Sequence, residues 1–308
     1  MKGEVVMGNK YLVLDVGGSS IKYAIMTKEV EFLEKGKVAT PQDSIESFVK
    51  VIGDLYDQYK DEIEGIAISM PGLIDSKNGY ARTGGWLRYN DDKYIVKILQ
   101  ERCPVKITIQ NDAKSAALAE VWKGSLKDFN DGIVVVLGTG VGGAVVKDRK
   151  IHSGKHFFAG EFSYIWTDTT FTTDGTDNMW GFVNGAAALN GAVAEAKNLP
   201  KEEVDGFKVF ELVNSGDEDA IRVLDKFTYQ LAAQIYNLHC VLDAEVVAIG
   251  GGISEQDILI EYIQKNIEKI FDKVPFDIPR VKVVRCKFRN DANLIGALYN
   301  FIDFEGTK

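Results

Sequence analysis

The sequence has little of what a disulfide-stabilised, metal-binding or membrane-embedded protein would need. Its 308 residues include three cysteines and three histidines, and no Cys-x-x-Cys pair occurs. Scattered cysteines in odd number are typical of reduced thiols in a cytoplasmic protein. No apolar run approaches the roughly 20 residues that cross a bilayer, and the first residues lack the apolar core of a signal peptide. We therefore expect a cytoplasmic protein without a membrane partner.

The sequence also lacks an excess of positive charge. It has 36 Lys and Arg residues against 45 Asp and Glu residues, which gives a formal net charge of -9. Because a nucleic-acid backbone needs a basic stripe and none is present, nucleic acid is disfavoured as a partner. Hydrophobic residues make up 45% and charged residues 26% of the chain. This composition is globular, and the length is sufficient for two domains with separate cores.

A pattern of strand, glycine turn and strand occurs twice. The two turns are Asp15–Ser20 and Gly138–Gly143, and each lies between apolar, strand-forming segments. In a P-loop or a dinucleotide-binding unit the glycine turn opens a helix, and a P-loop also needs Gly-Lys-Ser/Thr. Neither feature is present, so both standard nucleotide motifs are disfavoured. The repeat instead predicts two related halves.

Such hairpins can still bind a nucleotide through their backbone. Glycine lets exposed N–H groups approach a phosphate closely. Asp15 lies at the first turn, where its carboxylate could orient Mg²⁺ or its waters. A third glycine run, Gly250–Gly252, ends an apolar strand and could accommodate adenine and ribose against the backbone.

One carboxylate lies between a strand and a helix. Val105–Gln110 reads as a strand, and Asn111 and Asp112 then open an alanine-rich helix that ends at Gly124. An Asp at a helix start is most often an N-cap. A carboxylate held rigidly at a strand end can also act as a general base. The local residues leave both interpretations open.

In this order, the segments resemble the two phosphate motifs and the adenosine motif of the actin-like ATPase and sugar kinase superfamily. Within it, the chain is similar to the ROK family over nearly its whole length. The resemblance implies an α/β, two-domain, actin-like ATPase (ribonuclease H-like) fold with an inter-domain cleft. The predicted small domain is 1–123 plus 290–308, and the large domain is 124–289. It also implies a homodimer that uses ATP, Mg²⁺ and a small-molecule sugar.

The resemblance carries roles to individual residues. Asn111–Ala113 matches the family's catalytic Asn-Asp-Ala segment, which implies that Asp112 takes the proton from a sugar hydroxyl while Asn111 hydrogen-bonds the sugar. The implied ATP- and phosphate-binding residues are Asp15, Gly17, Gly18, Ser19, Ser20, Lys22, Gly138, Thr139, Gly140, Gly142, Gly143, Gly250, Gly251 and Gly252. The implied substrate-binding residues are Gly72, Gly85, Asn111, Asp112, Glu161 and Tyr164.

One motif departs from the family pattern. The family's Gly-Glu-x-Gly-His reads Gly160-Glu161-Phe162-Ser163-Tyr164 here. In most relatives the histidine binds a structural zinc with three cysteines, and the corresponding region 167–185 contains no cysteine. Loss of both ligand types together predicts that there is no structural zinc. Any metal would then be Mg²⁺ bound with ATP, with Asp15 as a possible contact.

The expected sugar substrate is inferred only from the resemblance of local segments to those of known sugar kinases. The segments 65–72, 159–164 and 290–297 resemble those of bacterial β-glucoside kinases, which phosphorylate the 6-hydroxyl of cellobiose and similar sugars. Zinc-free N-acetylmannosamine kinases, which share the Tyr variant, and glucokinases are the alternatives. Trp86, beside Gly85, can stack on a sugar or form an interface.

A non-catalytic sugar-binding or regulatory ROK protein is the alternative of another class. DNA-binding members carry an extra domain ahead of the first phosphate motif, whereas 14 residues precede Asp15 here. Asp112, Glu161 and the nucleotide motifs favour the enzyme.

Overall fold

The computed structural model describes residues 9–168 and 176–306. They fall into two compact units. The first unit contains the chain up to Trp122, the segment Gly154–Phe158 and the chain from Asp291 onward. The second unit contains Lys123–Ser153 and Ala159–Asn290. The domain boundaries expected from the sequence, and the cleft, stay predictions.

Strands and helices are interspersed along the chain. The strands are β1 Lys10–Val16, β2 Ser20–Thr27, β3 Phe32–Ala39, β4 Ile63–Met70, β5 Ile74–Asp75, β6 Tyr80–Ala81, β7 Lys106–Asn111, β8 Gly132–Leu137, β9 Val141–Lys147, β10 Lys150–Ile151, β11 Val246–Gly250 and β12 Lys282–Arg285. The α-helices are α1 Ile45–Tyr59, α2 Ile95–Arg102, α3 Asp112–Lys123, α4 Trp180–Val183, α5 Ala186–Lys197, α6 Gly206–Asn214, α7 Glu218–Leu242, α8 Asp257–Phe271 and α9 Ala292–Gly306. The longest run of successive helices is α4 to α7.

The first unit is built on a five-stranded sheet with the order β3-β2-β1-β4-β7. β1 pairs antiparallel with β2, whereas β1, β4 and β7 run parallel. Helix α1 presents Phe48, Ile52 and Leu55 to the core at helical spacing. Helix α9 packs against β4, because Gly65 leaves space for the ring of Phe301.

The second unit repeats this arrangement. Its sheet has the order β10-β9-β8-β11-β12, with β8 and β9 antiparallel and β8, β11 and β12 parallel. Helices α7 and α8 pack together, and each unit has its own apolar core. The prediction of an α/β protein with two related halves is confirmed, and both glycine turns connect paired strands.

The start of α1 differs from what the local sequence predicts. Asp43, with Glu46 three residues later, has the pattern of a capping box and predicts a cap at Asp43. This prediction was wrong, because Ser44 is the N-cap and its side chain accepts from the Ser47 N–H. Asp43 instead accepts from the Ser47 hydroxyl. Two adjacent residues of equal capping propensity explain the error.

Among the described residues, no helix combines the length and the apolarity needed to cross a bilayer.

Candidate active site

The carboxyl edge of the first sheet collects polar side chains. Strand register places Asp15 of β1 opposite Ser69 of β4, and Ser69 opposite Gln110 of β7. Asn111 ends β7, and Asp112 begins α3 directly after it. Ligands of parallel α/β sheets bind beyond the carboxyl ends of the strands. This edge is therefore the candidate site of the first unit.

Asn111, not Asp112, caps helix α3. The Asn111 Oδ1 accepts a hydrogen bond from the Lys114 backbone N–H at 3.1 Å, three residues further on, which is the geometry of an N-cap. Asp112 is the first helical residue, and its Oδ1 accepts from the neighbouring Ala113 N–H at 2.7 Å. The capping role is thus filled without Asp112, so capping does not account for an acid at this position.

The surroundings of Asp112 favour its protonated form. Burial raises the pKa of the Asp112 carboxyl above its ordinary value, and the negative charge of Asp15 raises it further. The Ala113 N–H and the Asn111 side chain oppose the increase. Residue 112 as a whole is nevertheless only partly buried. A carboxylate with a raised pKa on such a residue is suited to accept a proton from a bound hydroxyl.

Asp15 is held in a buried hydrogen-bonding arrangement. Its Oδ1 accepts from Asn293 Nδ2 at 2.9 Å and from Ser69 Oγ at 3.4 Å, and Lys22 Nζ lies 3.9 Å from Oδ2. Burial raises the pKa of Asp15, while Asn293, Lys22 and Ser69 lower it. Sequence reasoning missed Ser69 and the role of Asn293, which belongs to α9 and reaches Asp15 from 278 positions away.

Three predicted substrate-binding residues of the first unit lie together. The Asn111 Nδ2 donates to the carbonyl oxygen of Gly72 at 3.0 Å. Gly72 has φ +108°, and a Cβ on it would lie 1.9 Å from the Thr83 carbonyl oxygen and 2.9 Å from the Gly85 nitrogen. Only glycine fits there. The turns at Gly72 and Gly85 are therefore packed against the strand end that carries the acid.

The first glycine hairpin is braced from outside the turn. The Thr40 hydroxyl donates to the Gly17 carbonyl at 2.7 Å, and the Gln42 amide donates to the Gly18 carbonyl at 2.7 Å. Gly18 and Ser19 are exposed, and a Cβ on Gly18 would meet nothing within 4 Å. The turn is thus held in place while its tip stays open to a ligand.

In the second unit, the Glu161 motif is attached to the second glycine hairpin. The Phe162 ring fills the space above Gly143, where a Cβ would lie 2.0 Å from a ring carbon. The Ser163 Oγ donates to the Val141 carbonyl at 2.7 Å. Ser163 in place of the family's glycine thus bonds to β9. Tyr164 is exposed, and Glu161 begins the short turn that contains it.

Aromatic packing and backbone hydrogen bonds stabilise the described part of the region that would bind zinc in most relatives. Phe162 and Trp180 are buried with ring centroids 5.7 Å apart. Trp166 pairs with Met179, and the Trp180 N–H donates to the Ile165 carbonyl at 2.7 Å. Structural zinc is bound by Cys, His and carboxylate side chains, and aromatic rings and backbone groups are not among these ligands. Part of the predicted region, 169–175, lies outside the described residues, and the absence of zinc stays a prediction.

In the third glycine run, two glycines are closely packed and one is open to a ligand. Gly251 has φ +91°, and a Cβ on it would lie 2.2 Å from the Leu137 carbonyl oxygen. Gly250 abuts Cys286, whereas Gly252 is exposed and faces open space. Gly138 and Thr139, at the neighbouring hairpin, are also exposed. The second unit thus offers bare backbone where its parallel strands end.

The donor chemistry fits Mg²⁺ that arrives with a nucleotide. No group of three or more His, Cys, Asp and Glu suitable for a metal occurs within 9–168 and 176–306. Mg²⁺ is usually bound by one or two carboxylates plus substrate phosphates. Asp15 and Asp112 are close enough for the charge of one to raise the pKa of the other, and a cation near Asp15 would relieve that repulsion.

Lys114 is a further residue that sequence reasoning missed. Its side chain is fully buried, and Nζ donates to the Phe157 carbonyl at 2.8 Å. Phe157 has φ +62°, an uncommon conformation for a non-glycine residue. Lys114 therefore connects the helix that begins at Asp112 with the Gly154–Phe158 segment of the same unit.

Comparison with known proteins identifies a family and several relatives. A family model described as "ROK family" matches residues 11–303. A β-glucoside kinase of Klebsiella pneumoniae is 28% identical over 292 residues, covering 95% of this chain and 96% of the relative. An N-acetyl-D-glucosamine kinase of Photobacterium profundum is 28% identical over 302 residues, covering 94% of this chain and 98% of the relative.

A solved structure from Listeria monocytogenes has the same fold. It belongs to a protein suggested to be an N-acetylmannosamine kinase, and it superposes with a TM-score of 0.87 at 25% identity. The match covers 96% of this chain and 99% of that protein.

Proposed function

Because the chain belongs to the ROK family, we propose that it transfers phosphate from ATP to the 6-hydroxyl of a β-glucoside such as cellobiose. The chain is a carbohydrate kinase, a phosphotransferase with an alcohol group as acceptor. The identity of the sugar and the roles of the individual residues are the parts that we propose.

The observation that carries this proposal is the placement of Asp112. The acid lies where β7 ends and α3 begins, beside an asparagine that already caps the helix. Its partial exposure and raised pKa are the properties of a general base. A structural acid at a helix start would instead serve as the N-cap, which is Asn111 here.

The proposed reaction needs one proton acceptor and one phosphate-binding surface. The Asp112 carboxylate takes the proton from the sugar 6-hydroxyl as that oxygen forms a bond to the γ-phosphorus of ATP. The bond from the γ-phosphorus to the bridging oxygen breaks, and ADP leaves with the electron pair. Most of the acceleration in such a transfer comes from positioning and charge stabilisation. Mg²⁺ would neutralise phosphate charge, with Asp15 nearby to orient it.

We assign the other predicted residues to binding. Asn111 donates to the Gly72 carbonyl and its side chain also hydrogen-bonds the Asp112 carboxyl, so it lies directly beside the proposed base, where we assign it a contact with the sugar. Glu161 accepts from sugar hydroxyls, and Tyr164 contacts the sugar. The open backbone at Gly18, Gly138 and Gly252 supports nucleotide binding.

The second candidate substrate is an N-acetylhexosamine. The Photobacterium N-acetyl-D-glucosamine kinase is as similar to this chain as the Klebsiella β-glucoside kinase, at 28% identity each. Pocket chemistry for an acetamido group differs from that for a second sugar ring, so one panel of substrates separates the two candidates.

The test is a coupled assay of ADP release with glucose, cellobiose, gentiobiose, N-acetylmannosamine and N-acetylglucosamine. We expect the highest kcat/KM with a β-glucoside and the phosphate on O6, located by NMR of the product. A clear preference for an N-acetylhexosamine would replace the proposed substrate. ADP release that no sugar stimulates, in a protein that binds sugar, would instead support the non-catalytic ROK alternative.

Two further expectations belong to this proposal. We expect a homodimer in solution, which light scattering would show as twice the chain mass of 34.1 kDa. We also expect the purified protein to contain no stoichiometric zinc by elemental analysis, and its presence would overturn the interpretation of the Tyr164 motif.

A further inference from the structure

The loop 84–91 is a rigid element of the first unit. The Gly84 N–H donates to the Asp91 carboxylate at 2.8 Å, and the Leu87 N–H donates to the Gly84 carbonyl at 3.1 Å. The Arg88 guanidinium pairs with Asp91 at 2.7 Å. Leu87 is buried and anchors the middle of the loop. These bonds within the loop fix its backbone without help from the residue at its tip, Trp86.

The same loop is fastened to the candidate active site on two sides. On one side, Gly85 packs against Pro71, next to the Gly72 carbonyl that accepts from Asn111. On the other side, the Tyr89 hydroxyl donates to the Pro41 carbonyl at 2.8 Å. Pro41 lies between two residues, Thr40 and Gln42, that brace the first glycine hairpin. The loop is thus held against the turn that accepts a hydrogen bond from Asn111 and against the segment that braces the first glycine hairpin.

Trp86 is exposed on this otherwise well-packed loop. Its side chain has 91% relative exposure, although tryptophan is on average among the more buried residues. Its neighbours in the sequence are Gly85, which is exposed, and Leu87, which points into the core. The indole therefore contributes little to the stability of the loop that presents it.

We propose that Trp86 is the stacking platform for the second ring of the sugar substrate, and so selects β-linked glycosides over monosaccharides. This inference rests on the proposed function, because it assumes that the first ring is bound beside Asp112. A pyranose ring has an apolar C–H face, and an indole provides a large, rigid, apolar surface with few side-chain torsions to order. A ring carried beyond the first sugar is the part of the substrate that such a platform can contact.

The surroundings of Trp86 fit a sugar better than a protein partner. A stable protein interface buries about 800 Å² on each partner, far more than one indole side chain provides. Arg88, two residues away, has a side chain that is 83% exposed and pairs with Asp91. A single aromatic ring flanked by glycine and an exposed ion pair is instead the composition of a carbohydrate contact, where polar groups can meet the hydroxyls around the ring edge.

The experiment compares Trp86→Ala, Trp86→Phe and a matched control. Phe207→Ala removes an equally exposed aromatic ring, 86% exposed, from the second unit. For Trp86→Ala we expect kcat/KM with cellobiose or gentiobiose to fall about tenfold, mainly through KM, from the usual strength of aromatic stacking. Glucose should be used as well as by the wild type. Trp86→Phe should recover most of the loss, and Phe207→Ala should change neither substrate.

Calorimetric titration of cellobiose without ATP makes the test independent of turnover. The inference predicts weaker cellobiose binding in Trp86→Ala and unchanged glucose binding. Unchanged cellobiose affinity, an equal loss for both sugars, or a wild type that binds no glycoside would overturn it. A change of molar mass in light scattering with unaltered kinetics would also overturn it, because Trp86 would then be an interface residue. Failure of the wild type to phosphorylate any sugar would count against the proposed function instead.

Discussion

In the first unit, the parallel strands β1, β4 and β7 carry Asp15, Ser69 and Asn111 at or next to their carboxyl ends, and Asp112 directly follows β7. In the second unit, β8 and β11 lead into glycines, and no carboxylate lies within Gly138–Gly143 or Gly250–Gly252. The strand order is the same in both sheets. Two equivalent edges of one repeated topology therefore present opposite chemistry.

We propose that this difference reflects different roles of the two edges in the reaction. A nucleotide brings several negative charges, which an uncharged glycine backbone can accept directly and an edge with carboxylates can accept only with a cation such as Mg²⁺ in between. A sugar hydroxyl needs a proton acceptor, and the first edge supplies one. The repeated topology predicts where ligands bind, and the residues at each edge determine which ligand binds there.

The largest effect that would sharpen this comparison is expected for Asp15→Asn. Loss of the carboxylate that we propose to orient Mg²⁺ should lower kcat by about 10²–10³-fold, the usual cost of removing one group that stabilises transferring charge. The pH profile should change as well. The charge of Asp15 raises the pKa of Asp112, so its removal lowers that pKa and moves the acid limb of kcat/KM to lower pH. If the acid limb of the kcat/KM profile stays at the same pH or moves to higher pH, the two carboxylates are not coupled in this way.

The next effect concerns glycines that serve packing. A Cβ at Gly143 would collide with the Phe162 ring, so Gly143→Ala should lower the free energy of unfolding by about 1–3 kcal/mol, as overpacking usually does. Urea unfolding measures this directly. An Ala variant of wild-type stability would mean that the Phe162 ring does not fill this space.

The smallest effect concerns a glycine that faces open space. At Gly252 the backbone has no positive φ and a Cβ meets nothing within 4 Å. Gly252→Ala should therefore fold normally. Because the added methyl group would occupy the space that we assign to the nucleotide, the KM for ATP should rise about tenfold, equivalent to roughly 1.4 kcal/mol. Gly191→Ala in α5, which also faces open space, is the matched control and should leave that KM unchanged. Equal KM values for ATP in Gly252→Ala and Gly191→Ala would show that this glycine edge does not contact the nucleotide.

The sequence was sufficient for the local elements and for the order of the motifs. Apolar runs interrupted by glycine predicted both hairpins, and the Asn111–Ala113 segment predicted a strand-to-helix junction. These features depend on neighbouring residues, which is why a single sequence reveals them.

Other features depend on residues far apart in the chain. Nothing near Asp15 indicates that Asn293 will bond to it, because only the return of α9 to the first sheet brings them together. The assignment of Gly154–Phe158 to the first unit has the same origin, since the buried Lys114 amine contacts that segment across 43 positions. Whether Asn111 or Asp112 caps α3 could not be predicted, because both residues have high capping propensity.

The measurement that tests the central claim most directly is the kcat of Asp112→Asn, with cellobiose affinity measured by calorimetry on the same preparation. Asn preserves the acceptor oxygen for the Ala113 N–H and cannot take the hydroxyl proton. We predict that kcat falls by about 10²–10⁴-fold, that the sugar still binds, and that the exposed control Asp128→Asn behaves like the wild type. Near-normal turnover in Asp112→Asn would contradict the account and place the base elsewhere.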